Sequence, residues 1–224
     1  MEAVNKLSDI QKVLAERAYQ NLAEGKFNDL LQEVSDLKSK RILDAGCGQS
    51  QLIKGVSRFE PEFIVGMDID TAFLGFSRTR NQANNIMFVN GDIENLPFKT
   101  STFEVIFCRA VLPYVFSESK TIKEIARVLT IGGTLLLESH CIGYYIHRLL
   151  IKRPFGLRYD MKSLLSGLIH HLWGKKILVE PDTYQIPNRI KETLNRKGFQ
   201  ILRLYQFDRW LFLRRFFRVI AKKR

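Results

Sequence analysis

Cysteine is scarce in this 224-residue chain: three residues, Cys47, Cys108 and Cys141, each far from the others. That number and spacing provide neither a disulfide framework nor a zinc-ligand pair, and they suit a reducing, cytoplasmic compartment. Histidine is equally sparse, with four residues, and nowhere clusters with acids as a metal site requires, so no metal is expected. No apolar run approaches the ~20 residues needed to span a bilayer. Residues 1–25 are charged and lack the apolar core and cleavage site of a signal peptide. Acids are short in one place above all. Residues 139–224 hold 19 Lys and Arg against 5 Asp and Glu, net +14, whereas residues 1–138 hold 16 against 18, net −2. A plain solvated surface mixes the signs, so the last third is expected to meet an anionic partner: lipid headgroups, nucleic acid or an acidic small molecule.

What is present begins with apolar substance, 46% hydrophobic residues, ample for one sizeable core with a modest addition. The organising stretch is Arg41-Ile42-Leu43-Asp44-Ala45-Gly46-Cys47-Gly48-Gln49-Ser50. A short apolar run, an acid and two glycines spaced by one residue lead into a helix-forming segment, Leu52 to Phe59. Glycine admits positive φ and close backbone approach, and the free N–H groups that open a helix face whatever lies on the turn. Such a turn suits a nucleotide-like ligand. A dinucleotide-binding loop would place a small residue where Gln51 stands, to pack helix on sheet, which argues against a dehydrogenase.

Further along, Phe63-Ile64-Val65-Gly66-Met67 reads as a buried strand ending in Asp68-Ile69-Asp70. Asp68, 22 residues after Gly46, stands where an acid accepts hydrogen bonds from both ribose hydroxyls. Ile69 would cover the adenine face, and Asp70 would cap a helix from Thr71 to Asn81. Ile86 to Asn90 is a third strand, followed by Asp92 and Ile93, an acid and an apolar residue suited to the adenine amino group and ring edge. Ser101 to Cys108 reads as the fourth strand, Ile122 to Val128 as a helix, Gly132-Gly133 as a turn and Thr134 to Glu138 as the fifth strand.

Asp44-Ala45-Gly46-Cys47-Gly48 resembles motif I of the class I S-adenosylmethionine-dependent methyltransferases, with Ser50 where many members carry a third glycine. Gly91-Asp92-Ile93-Glu94-Asn95-Leu96-Pro97-Phe98, then Ser101-Thr102-Phe103-Glu104-Val105-Ile106, then Glu124-Ile125-Ala126-Arg127-Val128-Leu129 ahead of Gly132-Gly133, are similar in order and spacing to the group that includes the ubiquinone- and menaquinone-biosynthesis C-methyltransferases. The resemblance covers residues 41–138. It implies a Rossmann-like α/β fold: a seven-stranded, mainly parallel sheet with helices on both faces and S-adenosylmethionine at the carboxyl ends of the strands. It also implies that Asp44, Gly46, Cys47 and Gly48 hold the methionine part, Asp68 and Ile69 the ribose and adenine face, and Asp92 and Ile93 the adenine edge. Cys108 and Arg109 would stand at the end of the fourth strand, near the methyl group. Leu112-Pro113-Tyr114 lacks the first polar residue and first proline of enzymes that methylate base amino groups.

The expected organisation is a single domain, with residues 1–40 as a helical cap, 41–138 as cofactor core, 139–185 as a lid inserted after the fifth strand, and 186–224 as the last helix and antiparallel strands. Ser8 would cap a helix over Ile10 to Leu22, from which Arg17 or Tyr19 could reach the cofactor carboxylate, and Phe27 to Leu37 would form a second. The lid's apolar stretches, Tyr144 to Ile151 and Leu164 to Trp173, are broken by Arg148, Lys152, Arg153, Arg158 and Lys162. They suit a substrate with an apolar body and an acidic or polar head. His140 is the candidate base, with His147, His170 and His171 in the lid. Pro187 opens a helix to Lys197, Phe199 to Phe207 alternates as a strand, and Phe217 to Ala221 would be the last strand, with Trp210 to Leu213 a connection exposed enough to touch a bilayer. The expected activity is methyl transfer to a small hydrophobic or lipid-like acceptor, with peripheral contact to an anionic membrane. An RNA-modifying enzyme or a non-catalytic S-adenosylmethionine-binding protein are the alternatives.

Overall fold

In the computed structural model the strands are Arg41–Ala45 (β1), Phe63–Asp68 (β2), Ile86–Asn90 (β3), Phe103–Arg109 (β4), Leu129–His140 (β5), Phe199–Trp210 (β6) and Leu213–Lys223 (β7). Short apolar runs form the central parallel strands β1, β2 and β4, buried on both faces, while the last two strands are longer and more exposed. The structure describes residues 28–34, 36–152, 161, 164–169, 172 and 184–224. The expected helix over 10–22 with Arg17 and Tyr19, and Arg153, Arg158, Lys162, His170, His171 and Trp173, lie outside the described residues.

The seven strands form one sheet in the order β3-β2-β1-β4-β5-β7-β6. β1 to β5 run parallel, and β7 is antiparallel to both of its neighbours. The winding reverses between β1 and β4, which opens a crevice at their carboxyl ends. Alternate residues bury opposite faces: Leu43, Val65, Ile106, Leu135 and Val219 on one side, Ile42, Ile64, Val105, Phe107, Leu136 and Ile220 on the other. This is the pattern of a sheet covered by helices on both sides.

The helices are Asn28–Gln32 (α1), Gln51–Val56 (α2), Thr71–Arg80 (α3), Glu118–Val128 (α4), Ile142–His147 (α5) and Pro187–Arg196 (α6). Asp70 caps α3, its Oδ1 accepting from the N–H groups of Ala72 at 2.8 Å and Phe73 at 3.3 Å. Ser117 caps α4, which buries Thr121, Ile122, Ile125 and Val128 at helical spacing.

Several expected boundaries move: the helix expected over Phe27 to Leu37 ends at Gln32, and the fourth strand runs from Phe103 to Arg109 rather than from Ser101 to Cys108. α4 starts four residues before Ile122, because the Ser117 cap outweighs the polar first turn. β5 does not start after Gly132-Gly133 but runs through them; the ladder shifts register between Phe103 and Val105, and the glycines form an irregularity within a strand that began at Leu129. β6 and β7 are long, 12 and 11 residues, and the stretch expected as a connection is mostly strand, since Trp210 pairs with Leu213. Antiparallel pairing lets a hairpin extend beyond the rest of the sheet, which periodicity alone does not reveal.

Residues 164–169 are helical. Gly167 packs against the ring of Tyr184, which leaves Leu165 and Leu168 on the outside, 56% and 48% exposed. No helix among the described residues is long and apolar enough to cross a membrane.

Candidate active site

The first turn of the crevice is built on backbone geometry. Gly46 (φ +79°) and Gly48 (φ +51°) both adopt the left-handed region. The N–H groups of Gly46 and Cys47 donate to the Met67 carbonyl at 2.7 and 2.9 Å, tying the end of β1 to the end of β2. A Cβ at Gly46 would collide with the Val111 side chain, whereas one at Gly48 would meet open space. Gly46 is therefore needed for packing and Gly48 for its conformation. Ser50 (φ +60°) occupies the left-handed position at the start of α2 without a side-chain cap, which explains why glycine suits that site.

Asp68 is the hinge of this arrangement. Its Oδ2 accepts the Gly48 N–H at 2.7 Å and its Oδ1 the Asp70 N–H at 3.0 Å, so one carboxylate fixes the glycine turn against the start of α3. Asn90 donates to the Asp68 and Ile69 carbonyls at 3.0 and 2.9 Å. Asp92 accepts the Glu94 N–H at 2.8 Å. Glu94, 6% exposed, accepts the N–H groups of Phe116 at 3.0 Å and Ser117 at 2.8 Å, and so carries the loop after β4 up to the loop after β3.

Two cavities meet over these loops. One of about 420 Å³ is lined by Gly46, Asp68, Ile69, Asp92, Ile93 and Arg109, together with Val111, Tyr114, Val115 and Phe116. The other, of about 300 Å³, is lined by Asp44, Gly46, Cys47, Gly48, Gln49 and Arg109. Gly46, Phe73, Arg109 and Ala110 border both. Together they have the size of a small-molecule site, apolar on the β3 side and polar over the glycine turn.

Nine of the ten residues expected to hold the cofactor line these cavities: Asp44, Gly46, Cys47, Gly48, Asp68, Ile69, Asp92, Ile93 and Arg109. Cys108 does not. It is fully buried in the core beside Leu43 and Ala45, and burial first, with the Asp44 charge second, pushes its thiol up to about 12. Strand alternation aims it away from the crevice. His140 lines neither cavity. Its ring, 9% exposed, stacks on Tyr144 with centroids 4.1 Å apart and meets Phe216 edge-on at 5.2 Å.

Asp44 is 4% exposed under the turn. Burial raises its carboxyl to about 7, opposed by the nearby Arg109 guanidinium and reinforced by the Asp68 charge. Burial likewise raises the Cys47 thiol, which is no nucleophile at neutral pH.

Sequence reasoning missed a row of charges that crosses the sheet behind the crevice. Arg109 Nη2 donates to Glu138 Oε1 at 3.2 Å. Glu138 Oε2 accepts from Arg218 Nε at 3.0 Å and Nη2 at 2.8 Å, and Arg218 Nη1 donates to the Tyr205 hydroxyl at 2.8 Å and to Glu33. The register Arg109↔Glu138↔Arg218↔Tyr205 makes these neighbours on successive strands. Four residues scattered between positions 109 and 218 gave no local signal. Glu94 did, through its place in Gly91-Asp92-Ile93-Glu94. Among the described residues no group of three His, Cys, Asp or Glu has a metal-binding arrangement.

Comparison with known proteins adds an independent line. Residues 43–137 match the family model described as a methyltransferase domain. A malonyl-[acyl-carrier protein] O-methyltransferase of Legionella pneumophila is 27% identical over 133 residues, 58% of this chain and 43% of that protein. A tRNA U34 carboxymethyltransferase of Psychromonas ingrahamii is 33% identical over 159 residues, 69% of this chain and 48% of that protein. The chain thus spans less than half the length of these curated relatives. The crystal structure of an S-adenosylmethionine-dependent methyltransferase from Mesorhizobium loti superposes with a TM-score of 0.70 at 17% identity, covering 90% of this chain and all of the other, so the two share a fold.

Proposed function

We propose, for a chain whose core is a class I methyltransferase domain with S-adenosylmethionine as its cofactor, that it transfers the methyl group to a small hydrophobic or lipid-like acceptor. The crevice fits that cofactor in chemistry as well as size. The open space above Gly48 lets a chain lie on the turn, and the Asp44 carboxylate beneath and the Arg109 guanidinium beside it match an amino acid's two charged ends. In this reading Asp68 takes the ribose hydroxyls and Asp92 with Ile93 the adenine edge, which their position in the wall of one cavity supports. The bound cofactor supplies an electrophilic methyl on a sulfonium, a good leaving group. The protein's task is then to hold the acceptor in line and exclude water, which needs neither a metal nor a triad.

The observation that carries the acceptor class is the wall of the larger cavity. Tyr114 and Phe116 stand 55% and 64% exposed at its rim, flanked by Val111 and Val115. Such side chains stay in water at a cost unless an apolar body covers them. His140, held in its aromatic nest, lies outside both cavities. His140→Phe is therefore expected to lower kcat by less than about tenfold, against the 10²–10⁴ typical of a lost general base.

A second reading, RNA modification, is favoured by the +14 charge of residues 139–224 and by the relative named for tRNA U34. Labelled methyl groups from the cofactor, traced into the lipid, RNA and protein fractions of a lysate, decide between the two. Label in lipid is the expected result; label in RNA alone rejects the proposal.

A further inference from the structure

The β6–β7 hairpin runs past its neighbour. β5 ends at His140, opposite Phe216, whereas β7 begins at Leu213 and β6 ends at Trp210. At about 3.3 Å per residue the overhang from Phe216 to Leu213 is roughly 10 Å, and it leaves the sheet at the carboxyl ends of the parallel strands, where the crevice lies.

The tip is Leu211-Phe212, 65% and 80% exposed. Leu211 has φ +52°, a turn conformation ordinarily given to Gly, Asn or Asp. The Leu211 carbonyl accepts from Arg209 Nε at 2.5 Å, but burial explains neither apolar side chain at this tip. Behind the first rung, Trp210 with Leu213, Arg209 and Arg214 pair directly across the ladder, both exposed. Like charges so placed repel, and an anion between them removes the conflict. Asp208, the sole acid in residues 199–224, is already paired with Arg215. α5 packs on the same stretch: Gly143 lies against the Arg214 backbone, and the His147 ring meets Trp210 at 5.1 Å. Leu150 and Ile151, just beyond α5, are 55% and 61% exposed.

We infer that this overhang docks on an anionic lipid bilayer, with Leu211 and Phe212 entering the acyl region and Arg209 and Arg214 engaging the phosphates. The order of layers decides for a bilayer over RNA. Apolar side chains lead and cations follow on the second rung, as acyl chains lie below headgroup phosphates, whereas a nucleic acid offers its phosphates outermost. Docking by this end would bring the mouth of the crevice toward the membrane, which suits the lipid-like acceptor proposed above but does not depend on it.

The test is sedimentation of the full chain with vesicles of phosphatidylcholine alone or with phosphatidylglycerol added at roughly 7:3, an anionic surface. Binding to the anionic vesicles only, weakened by salt, is expected. The double substitution Leu211→Asp and Phe212→Asp should weaken it at least about tenfold. Arg209→Ala with Arg214→Ala should weaken it comparably and flatten the salt dependence. Both variants should keep wild-type circular dichroism and cofactor affinity, since none of the four residues lines the crevice. Three results overturn the inference: no binding to either vesicle, binding that ignores the tip substitutions, or displacement of the vesicles by single-stranded RNA with the same tip dependence. None of these bears on whether methyl transfer occurs, so failure here is separable from failure of the proposed activity.

Discussion

Asp44 is the side chain on which the charge of the crevice turns. In the folded chain its carboxyl keeps its proton up to about pH 7, while in the unfolded chain it ionises near 3.8. Between those values the folded state holds the extra proton, so this group makes stability fall as pH rises from about 4 to 7 and changes nothing further above that. Asp44→Asn should raise the stability of the cofactor-free protein at pH 7.5 by on the order of 3 kcal/mol and flatten the pH dependence of its melting temperature, while weakening cofactor binding in calorimetry. A melt that keeps its slope between pH 4 and 7 would assign the titration elsewhere. Asp68 acts differently, since its carboxylate already accepts two backbone N–H bonds at 2.7 and 3.0 Å. Asp68→Ala should lower S-adenosylmethionine affinity at least about a hundredfold, the worth of two hydrogen bonds to a charged acceptor; unchanged affinity rejects its assignment to the ribose. Ser50, at φ +60°, is a residue where strain is removable. Ser50→Gly should add about 1 kcal/mol, seen as a melting temperature roughly 2–4 °C higher.

At the scale of elements, the last hairpin is joined to the parallel sheet by more than its ladder. Glu138 on β5 and Arg218 on β7 are both 11% exposed at the side chain, and each has a further charged partner, Arg109 and Glu33. The row therefore connects the crevice, the hairpin and the loop after α1 through one set of ion pairs. Removing its centre leaves Glu33 without its guanidinium and Glu138 with Arg109 alone, so Arg218→Ala should cost about 3–5 kcal/mol and lower the melting temperature by on the order of 10 °C. Arg218→Met with Glu138→Gln, which removes both charges of that pair, should recover part of the loss. If the single and double variants melt together, the row contributes nothing to joining the elements. The loop after β4 is held in the same manner by Glu94, and Ala110 at its start keeps φ +53°, a strained conformation bordering both cavities.

Over the whole molecule, the crevice and the basic hairpin end share one edge of the sheet. Methylation of an acceptor embedded in anionic vesicles should therefore fall as salt rises, while cofactor affinity, set inside the crevice, stays level; parallel loss of both would place the salt effect on the cofactor site instead. The succession of strands along the chain, the glycine turn and the acids Asp44, Asp68 and Asp92 were legible in the sequence, because each depends on residues a few positions apart: an apolar run, a glycine at positive φ, an acid at a strand end. The same locality misled for Cys108, whose position at the end of β4 says nothing about which face it points to until its neighbours on β1 and β5 are in place. Glu138, Arg218, Tyr205 and Glu33 carry no shared pattern, since only the β4-β5-β7-β6 pairing sets them side by side. The length of the hairpin came from the same source, whereas the exposure of Leu211 and Phe212 was expected of a connection between two strands. Local chemistry along the chain determined the strands and the glycine turn, and the resemblance they carry implied the fold. Pairing between distant strands decided which side chains face the crevice, which are sealed in the core and which project toward a partner, because burial and charge contact are properties of neighbours in space.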